Sequence, residues 1–234
     1  MKKRLCFIVL ASISLCAHAQ LTYDRSDFEG INQAYARLTT LQTEVDYVYY
    51  PSHQGKKAGE TLRATLSLDD GSYHYRLQEV ETLCTPAFTI LVDHEEKQIM
   101  LDSTRRSLRQ VLFGADLDAV LSVCAKIRFS YPEPGIKKYE LYATLGETER
   151  IDIYFDTTTF LMRRVVLFYN RPLSAEEGGT GEKPRLELVY RRQDAHPTFD
   201  KDLFSPARLI KKSGNRYAPV PALRGYKISD YVSK

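Results

Sequence analysis

The chain has 234 residues, with 33 basic and 30 acidic side chains, a formal charge of +3, sixteen Tyr and ten Phe but no Trp. A near-balanced charge with no arginine or lysine stripe argues against nucleic acid as a partner. No run beyond the N-terminal segment approaches the ~20 apolar residues of a membrane-spanning helix.

The first element is a targeting segment. Lys2, Lys3 and Arg4 precede a mostly apolar run, and Ala17-His18-Ala19 has the small-x-small form that signal peptidase cuts, so export to the periplasm with cleavage after Ala19 is expected. Cys16 also permits a lipoprotein reading, but Leu15 stands where lipidation signals carry a small residue. Residues 1–19 hold three basic and no acidic side chains, so a chain from Gln20 is formally neutral. It reads as a single soluble domain over 20–234, with a C-terminal extension from about residue 213. Of its two cysteines, Cys84 and Cys124, a disulfide and a pair of buried thiols are both open.

From Ser26 the chain reads SDFEGINQAYARL. Ser26 and Glu29 have capping-box spacing, and Phe28, Ile31, Tyr35 and Leu38 recur at helical intervals, which predicts one amphipathic helix. The period then becomes two. Val45, Tyr47 and Tyr49 share one strand face, and Pro51 ends the run. In ETLRATLSL, Leu62, Ala64, Leu66 and Leu68 alternate with polar residues, and Asp69-Asp70-Gly71 supplies a hairpin turn into SYHYRLQEV. There Tyr73, Tyr75 and Leu77 point one way and His74 and Arg76 the other. FTILV and QIMLD flank the turn Asp93-His94-Glu95-Glu96-Lys97.

RRSLRQVLFGADLDAVLSVCAKI carries Leu108, Val111, Leu112, Leu117, Val120, Leu121 and Cys124 at spacings of three and four, broken near Gly114. It predicts two short helices, the second capped by Asp116. KKYELYATL, ERIDIYF, FLMRRVVLFY and RLELVY then alternate as strands, and SAEEGGTGEKP is a Gly-rich loop. That loop lacks the Gly-Lys-Ser/Thr ending of a phosphate-binding loop. The sum is a mainly β (α+β) fold: a curved antiparallel sheet of about nine to eleven strands covered by short helices.

Chemistry has few candidates. Four successive side chains in a tight turn diverge, so Asp93–Glu96 reads as a solvated turn rather than a metal site at His94 with Glu95 or Glu96. His53, His74, His94 and His196 stand singly, and no nucleophile elbow, zincin or Cys-x-x-Cys motif is present. No enzyme, metal or cofactor is expected; a hydrolase would need a His–carboxylate site that convergence in space alone could supply. The tyrosine-rich strand faces point to core or to an apolar cavity. Strand alternation selects Val45, Tyr47, Tyr49, Leu66, Tyr73, Tyr75, Tyr139, Leu141, Ile153 and Phe168 as candidate lining.

The hairpin FTILVDHEEKQIMLD, the segment IDIYFDTTTFLMRRVVLFY and the ending RLELVYRRQDAHPTFDKDLFSPARLI resemble the LolA/LolB-like periplasmic lipoprotein carriers over most of residues 28–210. The resemblance implies a half-open β-barrel closed by a helical lid, with an apolar cavity for acyl chains. The partner it implies is a lipid or an acylated protein. The absence of Trp, the loop at 174–184 and the tail YAPVPALRGYKISDYVSK depart from the family, and no functional residue is carried over. The alternative is an envelope interaction module with a fully packed sheet, in which Tyr226, Ile228 and Tyr231 dock the tail on a partner or add a strand.

Overall fold

A computed structural model describes residues 23–103, 117–143, 146–172, 181–214 and 216–232. The targeting segment, the first predicted helix of the middle region with Leu108, Val111 and Leu112, the Asp116 cap and most of the Gly-rich loop lie outside the described residues.

Helix α1 spans Arg25–Arg37 and buries Phe28, Ile31 and Tyr35, the stripe its spacing predicts. Its cap is Asp24 rather than Ser26: the Asp24 carboxylate accepts from Ser26 N at 3.0 Å and Ser26 Oγ at 2.6 Å. Both residue types cap well, and sequence spacing alone does not choose between neighbours two apart.

Strands follow as β1 (Thr40–Tyr50), β2 (Glu60–Asp69), β3 (Ser72–Leu77), β4 (Val80–Cys84), β5 (Thr89–Asp93) and β6 (Gln98–Asp102). The β2–β3 turn places Asp70 and Gly71 at φ +41° and +76°, the paired left-handed geometry that a two-residue hairpin favours. Helix α2 spans Leu117–Val123 and runs directly into β7 (Cys124–Glu133). The helical reading of Cys124 to Ile127 is therefore corrected. Cys124 continues the apolar spacing of α2, but Cys124 and Ile127 are strand residues on either side of a register shift. Strands β8 (Ile136–Ala143), β9 (Thr148–Asp156), β10 (Met162–Tyr169) and β11 (Arg185–Asp194) complete the second half. A hairpin of β12 (Ile210–Ser213) and β13 (Arg216–Pro219) and a last strand β14 (Lys227–Asp230) end the described chain.

The main sheet has twelve strands in the order β14-β6-β5-β4-β3-β2-β1-β11-β10-β9-β8-β7. It is open, curved and not closed into a barrel. Every pairing is antiparallel except β14 on β6, which is parallel, and the β1–β11 contact joins the two halves at the centre.

The sheet is covered on both faces, over both halves on one and over β4–β6 on the other. Phe28, Ile31 and Tyr35 of α1 pack on Leu41, Val45, Leu66, Tyr139, Ile153, Met162, Val165 and Leu188, making the larger core on the helix face of the sheet. Gly30 lets the helix sit this close, because a Cβ there would lie 2.6 Å from the Phe160 ring. Buried polar groups fix the seat: Asp27 Oδ2 accepts from Lys137 Nζ at 2.5 Å and from Tyr139 Oη at 2.6 Å, and Tyr35 Oη accepts from Met162 N at 3.0 Å. On the outer face of β4–β6 a second core forms, in which Leu83, Ile90, Val92, Ile99 and Leu101 meet Leu209, Ile210 and Leu223 of a C-terminal extension that, as a structural unit, runs from Pro206. Cys84 and Cys124 are both buried free thiols in the larger core, the second of the two open readings. Among the described residues no helix is long and apolar enough to cross a membrane.

Candidate functional site

Strand alternation and register decide which face each candidate lining residue occupies. Val45 lies opposite Ala64 and Tyr190, Tyr47 opposite Leu62 and Leu188, Leu66 opposite Tyr75, and Tyr139 opposite Ile153. These pairings bring nine of the ten, all but Phe168, to the helix face. Six of them, Val45, Leu66, Tyr73, Tyr139, Leu141 and Ile153, are buried, and all six belong to the larger core with the α1 side chains. Tyr47, Tyr49 and Tyr75 are half-buried, and the phenols of Tyr47 and Tyr75 are 3.1 Å apart in a hydrogen bond from Tyr75 to Tyr47.

Phe168 is the exception. It lies opposite Arg150 and Arg185, with its ring 3.7 Å from the Arg150 guanidinium, on the outer face. The reason is in MRRVVLFY: Val165 and Leu167 face the helix side, while Val166 and Phe168 are apolar but face outward. Where both parities are apolar, alternation loses its power to assign a face.

A strip of the helix face therefore stays half-buried beside α1. Leu77 and Tyr75 of β3, Leu62 of β2, Tyr47 of β1, Leu186 of β11 and Leu167 of β10 make it up, with Leu62 directly opposite Tyr47 and Leu186 directly opposite Leu167. Burial holds the Tyr47 and Tyr75 hydroxyls protonated, with both raised above the ordinary phenol value, and their mutual hydrogen bond gives the strip its one polar point. At the far side of α1 a cleft of about 470 Å³ separates it from α2, lined by Tyr23, Phe28, Asn32, Leu121 and the charged rim residues Arg25 and Glu29. The Asn32 amide oxygen is buried at its wall without a hydrogen-bond donor among the described residues.

The outer face carries a feature that single histidines in the sequence do not announce. Glu81, 4% exposed, accepts from His74 Nε2 at 2.9 Å and from Arg208 at 2.8 Å, with His94 Nε2 at 3.3 Å from its other oxygen. His94 Nδ1 is 3.1 Å from Tyr226 Oη. Burial opposes the charge on Glu81, but the His74 hydrogen bond and the Arg208 guanidinium outweigh it and hold the carboxyl down at about 2. A carboxylate that stays ionised this far below neutrality serves poorly as a general acid or base near pH 7. Among the described residues no three His, Cys, Asp or Glu side chains are arranged to hold a metal ion. Glu95 and Glu96 stay exposed in the turn while His94 turns away from them.

The cluster instead fastens the extension: Arg208 and Tyr226 belong to it, while Glu81, His74 and His94 belong to the sheet. The one signal in sequence is parity. His74 departs from the Tyr73–Tyr75 face, and Glu81 departs from the Val80–Thr82–Cys84 face, so a two-residue turn at Gln78-Glu79 brings them to the same side. Arg208 has no such local signal.

No protein-family model matches the chain, and no curated protein matches it. Among solved structures it is similar to an uncharacterized conserved protein from Thermus thermophilus, with 9% identity over 88% of this chain and 97% of that one and a TM-score of 0.48. It is also similar to a LolA superfamily protein from Nitrosomonas europaea, with 10% identity over 78% and 97% of the two chains and a TM-score of 0.35. A third is the Pseudomonas aeruginosa MucA/MucB complex, at 11% identity over 83% of this chain and 63% of that one, with a TM-score of 0.44.

Proposed function

We propose that the protein is an exported, non-enzymatic binding protein of the periplasm that holds an acyl chain, of a lipid or of an acylated protein, against the helix face of its open sheet. In this reading the functional unit is one domain over 20–234, with the extension closing the opposite face. The observation that carries it is the half-buried strip Leu77, Tyr75, Leu62, Tyr47, Leu186 and Leu167, left beside α1 on a sheet that does not close. An extended chain of methylenes gains about 0.8 kcal/mol for each CH₂ it buries there, and the strip offers apolar area without a polar group to desolvate other than two paired phenols. The buried set under α1, including Val45, Leu66, Tyr139 and Ile153, joins the site when the helix swings out, and the polar seat of Asp27 on Lys137 and Tyr139 is the natural catch for that motion.

The test is native mass spectrometry of the protein purified from the periplasm under mild conditions, alone and after incubation with phospholipid or fatty acid. An added mass matching an acyl lipid, lost in Tyr75→Arg, is the expected result. A clean protein mass under both conditions overturns the acyl-chain reading.

A further inference from the structure

Strand β7 ends the sheet, and among the described residues it pairs only with β8. Such an edge presents a row of unpaired backbone donors and acceptors, and natural proteins either shield it or use it. The regular stretch is Lys126–Ser130, bounded by register shifts toward Cys124 and toward Glu133, so it offers one short strand's worth of edge.

Its two faces are unlike. On the helix face Phe129 and Tyr131 are 48% and 62% exposed, among the few large apolar side chains left bare. They end an aromatic row that begins in the core, with ring centroids 6.0 Å from Phe160 to Phe155, 6.1 Å on to Tyr139, 6.0 Å to Phe129 and 6.2 Å to Tyr131. A core that runs out to the surface in this way is open to a further apolar side chain stacking on its end.

On the outer face Lys126 and Arg128 flank the Tyr142 ring at 5.2 and 5.9 Å. The nearest carboxylates are already engaged, Glu140 by Lys138 at 2.6 Å and Tyr142 Oη at 2.9 Å, and Asp152 by Lys138 and Arg150 at 2.9 Å each. Among the described residues neither Lys126 nor Arg128 has an acidic partner, so the rim of the sheet carries uncompensated positive charge beside an open backbone edge.

From this juxtaposition we infer that β7 is a docking edge for an extended, acidic segment of another polypeptide chain, which adds as a short strand beside Lys126–Tyr131. It directs carboxylates to Lys126 and Arg128 and an apolar side chain to Phe129 and Tyr131. A second copy of this chain fits worse, because an antiparallel β7–β7 pair centred on Arg128 sets Arg128 against Arg128 on one face. A lipid surface fits worse too, since it leaves the backbone groups of the edge unpaired in apolar surroundings. The inference is independent of the acyl-chain reading, which concerns the strip beside α1.

The experiment is amide hydrogen exchange on the full exported chain with two capped heptapeptides, one alternating Glu and Val and the other Lys and Val. The acidic peptide is expected to slow exchange over 124–133 about tenfold at saturation, with little effect from the basic one. Lys126→Glu with Arg128→Glu is expected to reverse that preference, and Phe129→Ser with Tyr131→Ser to weaken acidic-peptide binding about tenfold while leaving the charge preference intact. No slowing by either peptide, or equal slowing by both, overturns the proposal. Protection of β7 that grows with protein concentration in the absence of peptide also overturns it, in favour of a second copy.

Discussion

At the scale of single residues, Glu81 is a buried carboxylate held between His74 and Arg208. Its carboxyl sits at about 2 against an ordinary 4.5, so its charged form is favoured in the fold, and the stabilisation is complete above the unfolded value. It drains away as pH falls from about 5 toward 2, when the folded protein too takes up the proton. Glu81→Gln is therefore expected to cost on the order of 3 kcal/mol near pH 7, since it leaves Arg208 and His74 around a neutral amide. In urea titrations of both proteins across acid pH, the gap between them should close as pH falls. A gap that stays constant down to about pH 2 would mean the carboxylate is not held as described. That this site escapes a reading of the sequence has a physical cause: its members come from β3, β4, the β5–β6 turn and a segment 127 residues beyond Glu81, and only the first two are linked by local register. The candidate lining is different, because strand parity is local. Parity places nine residues on one face and misplaces Phe168, where Val165, Val166, Leu167 and Phe168 make both faces apolar.

Elements are legible in proportion to how local their determinants are. The α1 stripe, the alternation of β2 and the Asp70-Gly71 turn are written in adjacent residues, and each stands where its pattern puts it. The start of β7 and the fate of the tail depend on distant partners. Tyr226, Ile228 and Tyr231 read as a docking or added-strand segment, and β14 is indeed an added strand, but it adds to β6 of its own chain. The tail thus caps the second sheet edge and helps cover the outer core, where Leu223 is buried and Ile228 packs beside it. Leu223→Ala should cost about 2–3 kcal/mol by removing a buried side chain between the extension and β4–β6. Deleting residues 216–234 should cost more, strip β6 of its partner and expose Leu83, Ile90, Val92, Ile99 and Leu101, read out as a rise in ANS fluorescence and as association at high protein concentration. If the truncated protein stays monomeric and as stable as the parent, the extension is not the cover its contacts describe.

At the scale of the molecule, the two cores lie on opposite faces and share only the sheet between them. The larger spans both halves of the sheet, because β1 pairs with β2 on one side and with β11 on the other, and α1 rests across that seam. The smaller depends on four-residue strands and 3₁₀ turns of the extension, clipped to β4–β6 at the Glu81 cluster and along β14. Opening the extension breaks few backbone pairings, whereas opening the seam separates strands of ten and eleven residues on both sides of β1. Native-state hydrogen exchange should follow that order. Amides of β14 and of the extension should exchange through a local opening well below the global free energy, and those of β1, β2 and β11 only through global unfolding. Glu81→Gln should lower the protection of the extension in step with its loss of stability while leaving the seam amides tied to the global transition. Equal protection in the extension and the seam would instead make the two faces one cooperative unit, with the sheet transmitting the loss of either cover to the other.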